Sequence, residues 1–214
     1  MGPGSQPTAA VDRQVLLKLS YGLFVLTARE GDRDNGCVIN TVAQATDTPI
    51  RLSATVNKRN LTHGMIFNTR LFNVSILTEE TPFALIERFG YRSGRDADKF
   101  LEFPETGRAA NGIRFVAASA NAVISARVLE THDCGTHTLF MAETTQAFAL
   151  GDGPSLTYRY YFDHIKPKPR PSGLARGFVC QICGHVHAGD TLPADFVCPT
   201  CKHRAGDFKP VVGG

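Results

Sequence analysis

Four cysteines near the end of the chain, Cys180, Cys183, Cys198 and Cys201, form two Cys-x-x-Cys pairs within 22 residues, with fourteen residues between the pairs. Two residues between cysteines let both thiolates face one ion, and two such knuckles make a closed tetrahedral site of four sulfurs. Tetrahedral thiolate suits iron and zinc alike, so these ligands leave a redox centre and a structural zinc both open. A segment this short has too little core to fold well without its metal. Six cysteines also permit disulfides, but the clustering of four, in a chain whose first residues lack a secretory leader, favours metal and a cytoplasmic protein. Cys37 and Cys134 stand alone and read as small buried apolar residues. His185, His187 and His203 are expected on the surface, because four cysteines already fill the site.

A second group of residues has the chemistry of anion binding. No G-x-G-x-x-G follows a strand and no G-x-x-x-x-G-K-[ST] is present, so a nucleotide must be held in another way. In the stretch 53–64 a strand ends and a helix begins, and Asn57, Lys58, Arg59, Asn60 and Thr62 lie at the junction. The first amides of a helix, with two cations and short polar side chains, suit a phosphate monoester; a capped helix with two solvated cations is the plain alternative. Asn40, Thr41 and Gln44 follow an apolar strand and are able to hydrogen-bond a heteroaromatic ring or a polyol chain. His137, after the turn at Gly135, is the candidate catalytic side chain.

The elements that must position these groups read mainly as strands. Leu52, Ala54 and Val56 alternate with polar neighbours, as do Phe72, Val74 and Ile76. Stretches 21–28 and 37–42 flank Asp34-Asn35-Gly36, an expected hairpin turn, and further strands are expected at 123–129, 138–147 and 156–162. Short helices are expected at 60–68, at 82–89 with Thr81 as cap, and at about 96–103. This mixture predicts an antiparallel barrel rather than a doubly wound sheet. Residues 166–177 alternate proline with basic residues and read as a semi-rigid tether reaching roughly 35 to 40 Å. The expected divisions are a flexible start at 1–12, a barrel domain at 13–165, the linker at 166–177 and a metal domain at 178–212. A net charge of +3 with no sustained basic face excludes a nucleic-acid footprint, and no apolar run is long enough to span a bilayer.

The stretches 35–44, 57–63, 89–100, 135–140 and 156–161, in this order, resemble the flavin reductase-like, FMN-binding split-barrel family. The tail resembles the short rubredoxin domains appended to rubrerythrins, and the pairing resembles the high-molecular-weight rubredoxins, close to flavoredoxins. Lys202 stands after the second knuckle where free-standing rubredoxins usually have glycine, and only Phe178, Phe196 and Phe208 are available as an aromatic core. The resemblance implies a mainly β protein, a split antiparallel β-barrel with short inserted helices and a small C-terminal rubredoxin-like domain. It implies a homodimer with FMN near the subunit interface, its phosphate at 57–62 and its ring near 40–44 and His137. Arg95 and Lys99 are implied as further cofactor contacts.

These implications give an NAD(P)H-oxidising electron-transfer flavoprotein that passes electrons through FMN to a mononuclear iron with four cysteine ligands. The acceptor implied is a protein of the flavodiiron oxygen or nitric oxide reductase type. One alternative is a flavin reductase that releases reduced FMN and keeps zinc for structure; another is a non-catalytic zinc-ribbon adaptor on a dimeric barrel.

Overall fold

The computed structural model describes residues 15, 18–167, 177–181, 185–198 and 204–211. The expected flexible start at 1–12 and most of the proline-rich linker lie outside these residues, as do Cys183, Cys201, Lys202 and His203.

Nine strands precede the tail: β1 (Phe24–Glu30), β2 (Arg33–Ile39), β3 (Val42–Asp47), β4 (Ile50–Asn57), β5 (Leu71–Leu77), β6 (Thr106–Arg108), β7 (Arg114–Val116), β8 (Ala120–Asp133) and β9 (His137–Ala149). Seven of them form one sheet, in the order β2-β1-β5-β8-β9-β4-β3, and every pair is antiparallel. β6 and β7 pair separately.

The ends of the sheet explain its shape. β2 ends at Ile39 and β3 begins at Val42, so only Asn40 and Thr41 join the two edge strands. A flat sheet of this width would hold its edges roughly 29 Å apart, whereas two linking residues span about 11 Å. The sheet must therefore curl until its edges meet at this link. β2 and β3 share no ladder, so they diverge away from it, which makes the barrel split.

Alternation along the strands builds the interior. Ala54 and Val56 of β4 point inward with Phe140 and Ala142 of β9, Ala126 and Val128 of β8, Phe72 and Val74 of β5, and Leu26 and Ala28 of β1, and Leu52, on the same face of β4, is buried as well. Met65 and Ile66 of helix α1 (Leu61–Thr69) close this core. A second core lies on the other face, where Val25 and Leu77 meet Ile86 of α2 (Phe83–Ile86), Phe89, Phe100, Val116, Leu156 and Tyr161.

Five local expectations are corrected. The β1–β2 turn falls at Gly31-Asp32, where Gly31 takes φ of +58°. Asn35 and Gly36 lie inside β2, and a Cβ on Gly36 would meet the Phe89 ring at 3.0 Å. The strand expected at 156–162 is instead helix α3 (Tyr158–Tyr160) and a π turn at 161–165, because the Thr157 hydroxyl accepts the Tyr160 N–H at 3.1 Å and starts a helix. The stretch 96–103 forms turns: Ser93 Oγ and Asp98 Oδ1 accept the Arg95 and Phe100 amides, competing with helix formation. Thr81 donates its hydroxyl to Thr78 O at 2.7 Å, so α2 starts after Pro82 without a side-chain cap and runs on into a π turn at 87–91. Cys37 is buried as expected, but Cys134 is exposed in the β8–β9 turn.

The tail has its own three-stranded sheet, ordered β11-β10-β12, from β10 (Gly177–Cys180), β11 (Val186–Ala188) and β12 (Phe208–Pro210). No helix among the described residues is long and apolar enough to cross a membrane.

Phe140 is fully buried where β9 meets α1. Phe140→Ala is expected to lower unfolding free energy by about 3–5 kcal/mol, measured by denaturant titration, with a much smaller loss for Phe140→Leu.

Candidate functional site

Three groups separated in sequence meet at one rim of the barrel. Thr41 is tied to β4 twice: its hydroxyl donates to Thr55 O at 2.6 Å and its carbonyl accepts the Thr55 N–H at 3.1 Å. Asn57 ends the same strand two residues on, about 7 Å away, and is paired with His137 of β9. Asn40, the β4–α1 junction and the β8–β9 hairpin therefore share this rim.

At the junction, Asn57 Oδ1 accepts the Arg59 N–H at 2.9 Å, which turns the chain sharply after the strand. Lys58 is fixed to the neighbouring hairpin through its N–H, donated to Thr136 O at 3.1 Å, and its Nζ, 2.6 Å from Asp133 Oδ1. Hydrogen bonding from Lys58 is the main reason that Asp133 is held below the usual carboxylate range, with the Gly135 amide adding to it. Asn60 is the N-cap of α1 in extended conformation but makes no side-chain cap bond, and the first turn carries no acidic residue. The leading amides of a nine-residue helix thus lack the side-chain acceptor that usually covers them. Arg95 reaches the loop and donates from Nη1 to Arg59 O at 2.6 Å. Gly94 makes that reach possible, because a Cβ there would lie 2.3 Å from Asn35 Oδ1.

Several expected contacts are turned elsewhere. The Thr62 hydroxyl is buried and accepts from Asn35 Nδ2 at 2.8 Å, so it braces α1 against β2 and only its backbone faces the rim. Lys99 is 5% exposed, and its Nζ donates to Gly36 O at 2.8 Å and Phe89 O at 2.9 Å. Burial lowers its pKa, and in this arrangement it supports the wall behind the loop rather than touching a ligand at the rim. Gln44 lies on the exposed edge strand β3 and donates to Thr46 O at 3.2 Å, along its own strand. The Cys37 thiol, beside Lys99, Thr62 and Asn60, is pushed up by burial and is a poor nucleophile.

His63 and Asn35 belong to this site and were not among the expected residues. His63, in the first turn of α1, packs on Phe67 and Phe140, with Nε2 2.8 Å from Thr138 Oγ1. Its position three residues after the N-cap and the polar Thr138 next to His137 are the signals that would have revealed it. His137 Nδ1 lies 2.8 Å from Thr136 Oγ1.

In the tail, the expected ligands Cys180 and Cys198 are both fully buried, packed with Phe208 and flanked by Phe178, Leu192 and Phe196. The Cys180 N–H donates to His185 O at 2.8 Å. His187 is half-buried, with its ring against Phe196 at 4.5 Å between centroids. Two cysteines buried in one apolar cluster fit a metal, since a shared cation compensates thiolates that burial would otherwise disfavour. The described residues contain no set of three metal-ligating side chains, and Cys183 and Cys201 fall outside them.

The family model of the flavin reductase like domain matches residues 16–169, and that of the rubrerythrin, rubredoxin-like domain matches residues 178–209. The high molecular weight rubredoxin of Moorella thermoacetica is 34% identical over 230 residues, spanning 94% of this chain and 100% of that protein. A ferric-chelate reductase (NAD(P)H) of Archaeoglobus fulgidus is 39% identical over 160 residues, 74% of this chain and 92% of its own length. An FMN-binding protein from Thermus thermophilus has the same fold, with a TM-score of 0.57 at 20% identity over 69% of this chain and 79% of that one.

Both rim histidines have pKa values below the usual imidazole range. Desolvation is the main cause for each, and Lys58 and His137 add to it for His63. Between these lowered values and about 6.5 the folded chain binds fewer protons than the unfolded one, so stability rises with pH across that window and is lost on acidification. Denaturation midpoints are expected to fall from pH 7 to pH 5, and His63→Gln and His137→Gln to flatten that fall; an unchanged slope in both variants would contradict the assignment.

Proposed function

We propose, from the premise that the chain belongs to the flavin reductase like domain family and carries a rubrerythrin-type rubredoxin-like domain, that it is an electron-transfer oxidoreductase taking electrons from NADH or NADPH. In this reading FMN is bound on the barrel, one iron is bound by Cys180, Cys183, Cys198 and Cys201, and electrons leave to an acceptor protein of flavodiiron type. The observation that carries it is the joining, in one chain, of an uncapped helix N-terminus on a flavin reductase-like barrel with a buried pair of thiols in a rubredoxin-like tail.

The residues fit a flavin mononucleotide at the phosphate end. The first amides of α1 offer donors to its phosphate, and Arg59 and Arg95 supply charge at the same loop. Lys58 is already engaged by Asp133 and positions the hairpin that carries His137. Asn40 and Thr41, held in place by Thr55, offer polar atoms to the edge of a flat ring. His137, kept neutral in the ordinary pH range, is suited to hold or pass a proton near that ring. When bound, flavin accepts two electrons together as hydride and releases them singly, and iron with four thiolates takes them one at a time. The unit that works in this way is a homodimer in the cytoplasm, with the tail reaching its own barrel or the partner's through the linker.

Three experiments test this reading. Anaerobic stopped-flow mixing with NADH or NADPH is expected to bleach flavin absorbance first and the ferric–thiolate absorbance second; iron that stays oxidised would sink the relay. Flavin lost on gel filtration together with bound zinc would instead give the flavin-releasing reductase, and a colourless zinc protein the adaptor. Arg59→Ala is expected to weaken FMN binding about 10- to 100-fold, as one charge-assisted hydrogen bond to phosphate is lost, while far-ultraviolet dichroism is unchanged. Equal FMN affinity in Arg59→Ala and Arg95→Ala relative to wild type would remove the loop from the cofactor site.

A further inference from the structure

The first metal knuckle touches the barrel of its own chain. α3 runs into the π turn at 161–165, and Lys166 closes that turn by donating its N–H to Tyr161 O at 2.8 Å. The Lys166 ammonium stands over the Phe162 ring, 4.3 Å from its centroid, and donates from Nζ to the carbonyl oxygen of Gln181. Gln181 follows Cys180 in the first Cys-x-x-Cys pair. Phe178 and Cys180 of β10 face the small aromatic core of the tail, so Gly177 and Val179 lie on the opposite face of that strand. Both are buried, and Val179, at 8% exposed, is not among the residues of that core. The outer face of so small an antiparallel sheet is ordinarily wet, whereas here the central strand is covered on both sides.

We propose that the first knuckle docks on the π turn of its own barrel, and that Lys166 is the positioning residue that holds it there and favours the reduced state of the bound metal. This deepens the electron-transfer reading and rests on it for the iron and for the flavin contact at Asn40. The place of docking suits a relay. Tyr158 and Tyr161 line one small cavity with Asn40 beside the β2–β3 link. The Phe162 ring beneath Lys166 packs edge-on against both, at 4.8 and 5.4 Å between centroids. A series of packed rings thus runs from the knuckle contact toward the link. The charge suits it too: iron with four thiolates is one unit more negative when ferrous than when ferric, so a neighbouring ammonium stabilises the ferrous form more. One charge-assisted hydrogen bond and one small covered face would not hold two separate molecules together, but the linker keeps the tail at about millimolar effective concentration.

The Gln181 side chain is exposed and its backbone oxygen makes the bond, so the photo-crosslinking residue p-benzoylphenylalanine can replace it without removing the contact. The full chain, loaded with zinc and assembled from isotope-labelled and unlabelled chains together, is expected to crosslink from position 181 to the segment 158–166, and only between peptides of the same label. Lys166→Met keeps the stem and removes the charge, and Val179→Lys places a second cation on the covered face. Each is expected to lower the crosslink yield about tenfold, and Lys166→Arg to restore it. In the iron-loaded chain, spectroelectrochemical titration is expected to give a lower reduction potential for Lys166→Met than for the wild type, with Lys166→Arg close to the wild type. An undiminished crosslink in Lys166→Met would overturn the docking, as would crosslinks between peptides of different label, and an unchanged potential would overturn the electrostatic role. The crosslink needs neither flavin nor iron, so its failure is distinguishable from a failure of the electron-transfer reading.

Discussion

The two-residue link between β2 and β3 is the constraint on which the barrel depends. Asn40 and Thr41 connect strands at opposite ends of a seven-stranded sheet, and chain length alone forces those ends together. Thr41 then pairs with Thr55, which fixes the link against β4 and places it beside the loop that follows that strand. Closure brings Asn40, the start of α1 and His137 to one rim although they are far apart in sequence. A small cavity lies beside the link, lined by the end of β2, the α2 segment with its π turn, and Tyr158 of α3.

Electrostatics at the rim follow from this geometry. α1 begins without a side-chain cap or an acidic first turn, and cations stand on either side of it. Behind the loop, Lys99 is buried with its ammonium on two carbonyl oxygens, and no carboxylate pairs with it among the described residues. Desolvation holds His63 and His137 neutral, which avoids adding further positive charge at the same place.

Much of the fold was legible because alternation has a short range. Leu52, Ala54 and Val56 mark an inward face without reference to any other strand, and Asn57 to Thr62 mark a strand end and a helix start. The errors came where side chains compete locally with backbone order. Thr157 converted an aromatic run into a helix, and Ser93 and Asp98 dissolved an expected helix into turns. At the site, Asn57, Lys58, Arg59 and Asn60 stand at the loop where the sequence put them, but Thr62 and Lys99 face inward. Orientation depends on which groups pack behind, here Asn35, Gly36 and Phe89.

The sequence by itself determined the four-cysteine spacing, the strand-rich barrel and the polar junction at 57–62, because each rests on residue order over a few positions. Family-level likeness then extended to nearly the whole chain. Only the tertiary structure decided that the junction, the link and the β8–β9 hairpin share one rim, and that His63 and Asn35 pack against it. These follow from sheet closure, a relation between strands distant in sequence, and no local pattern carries that information.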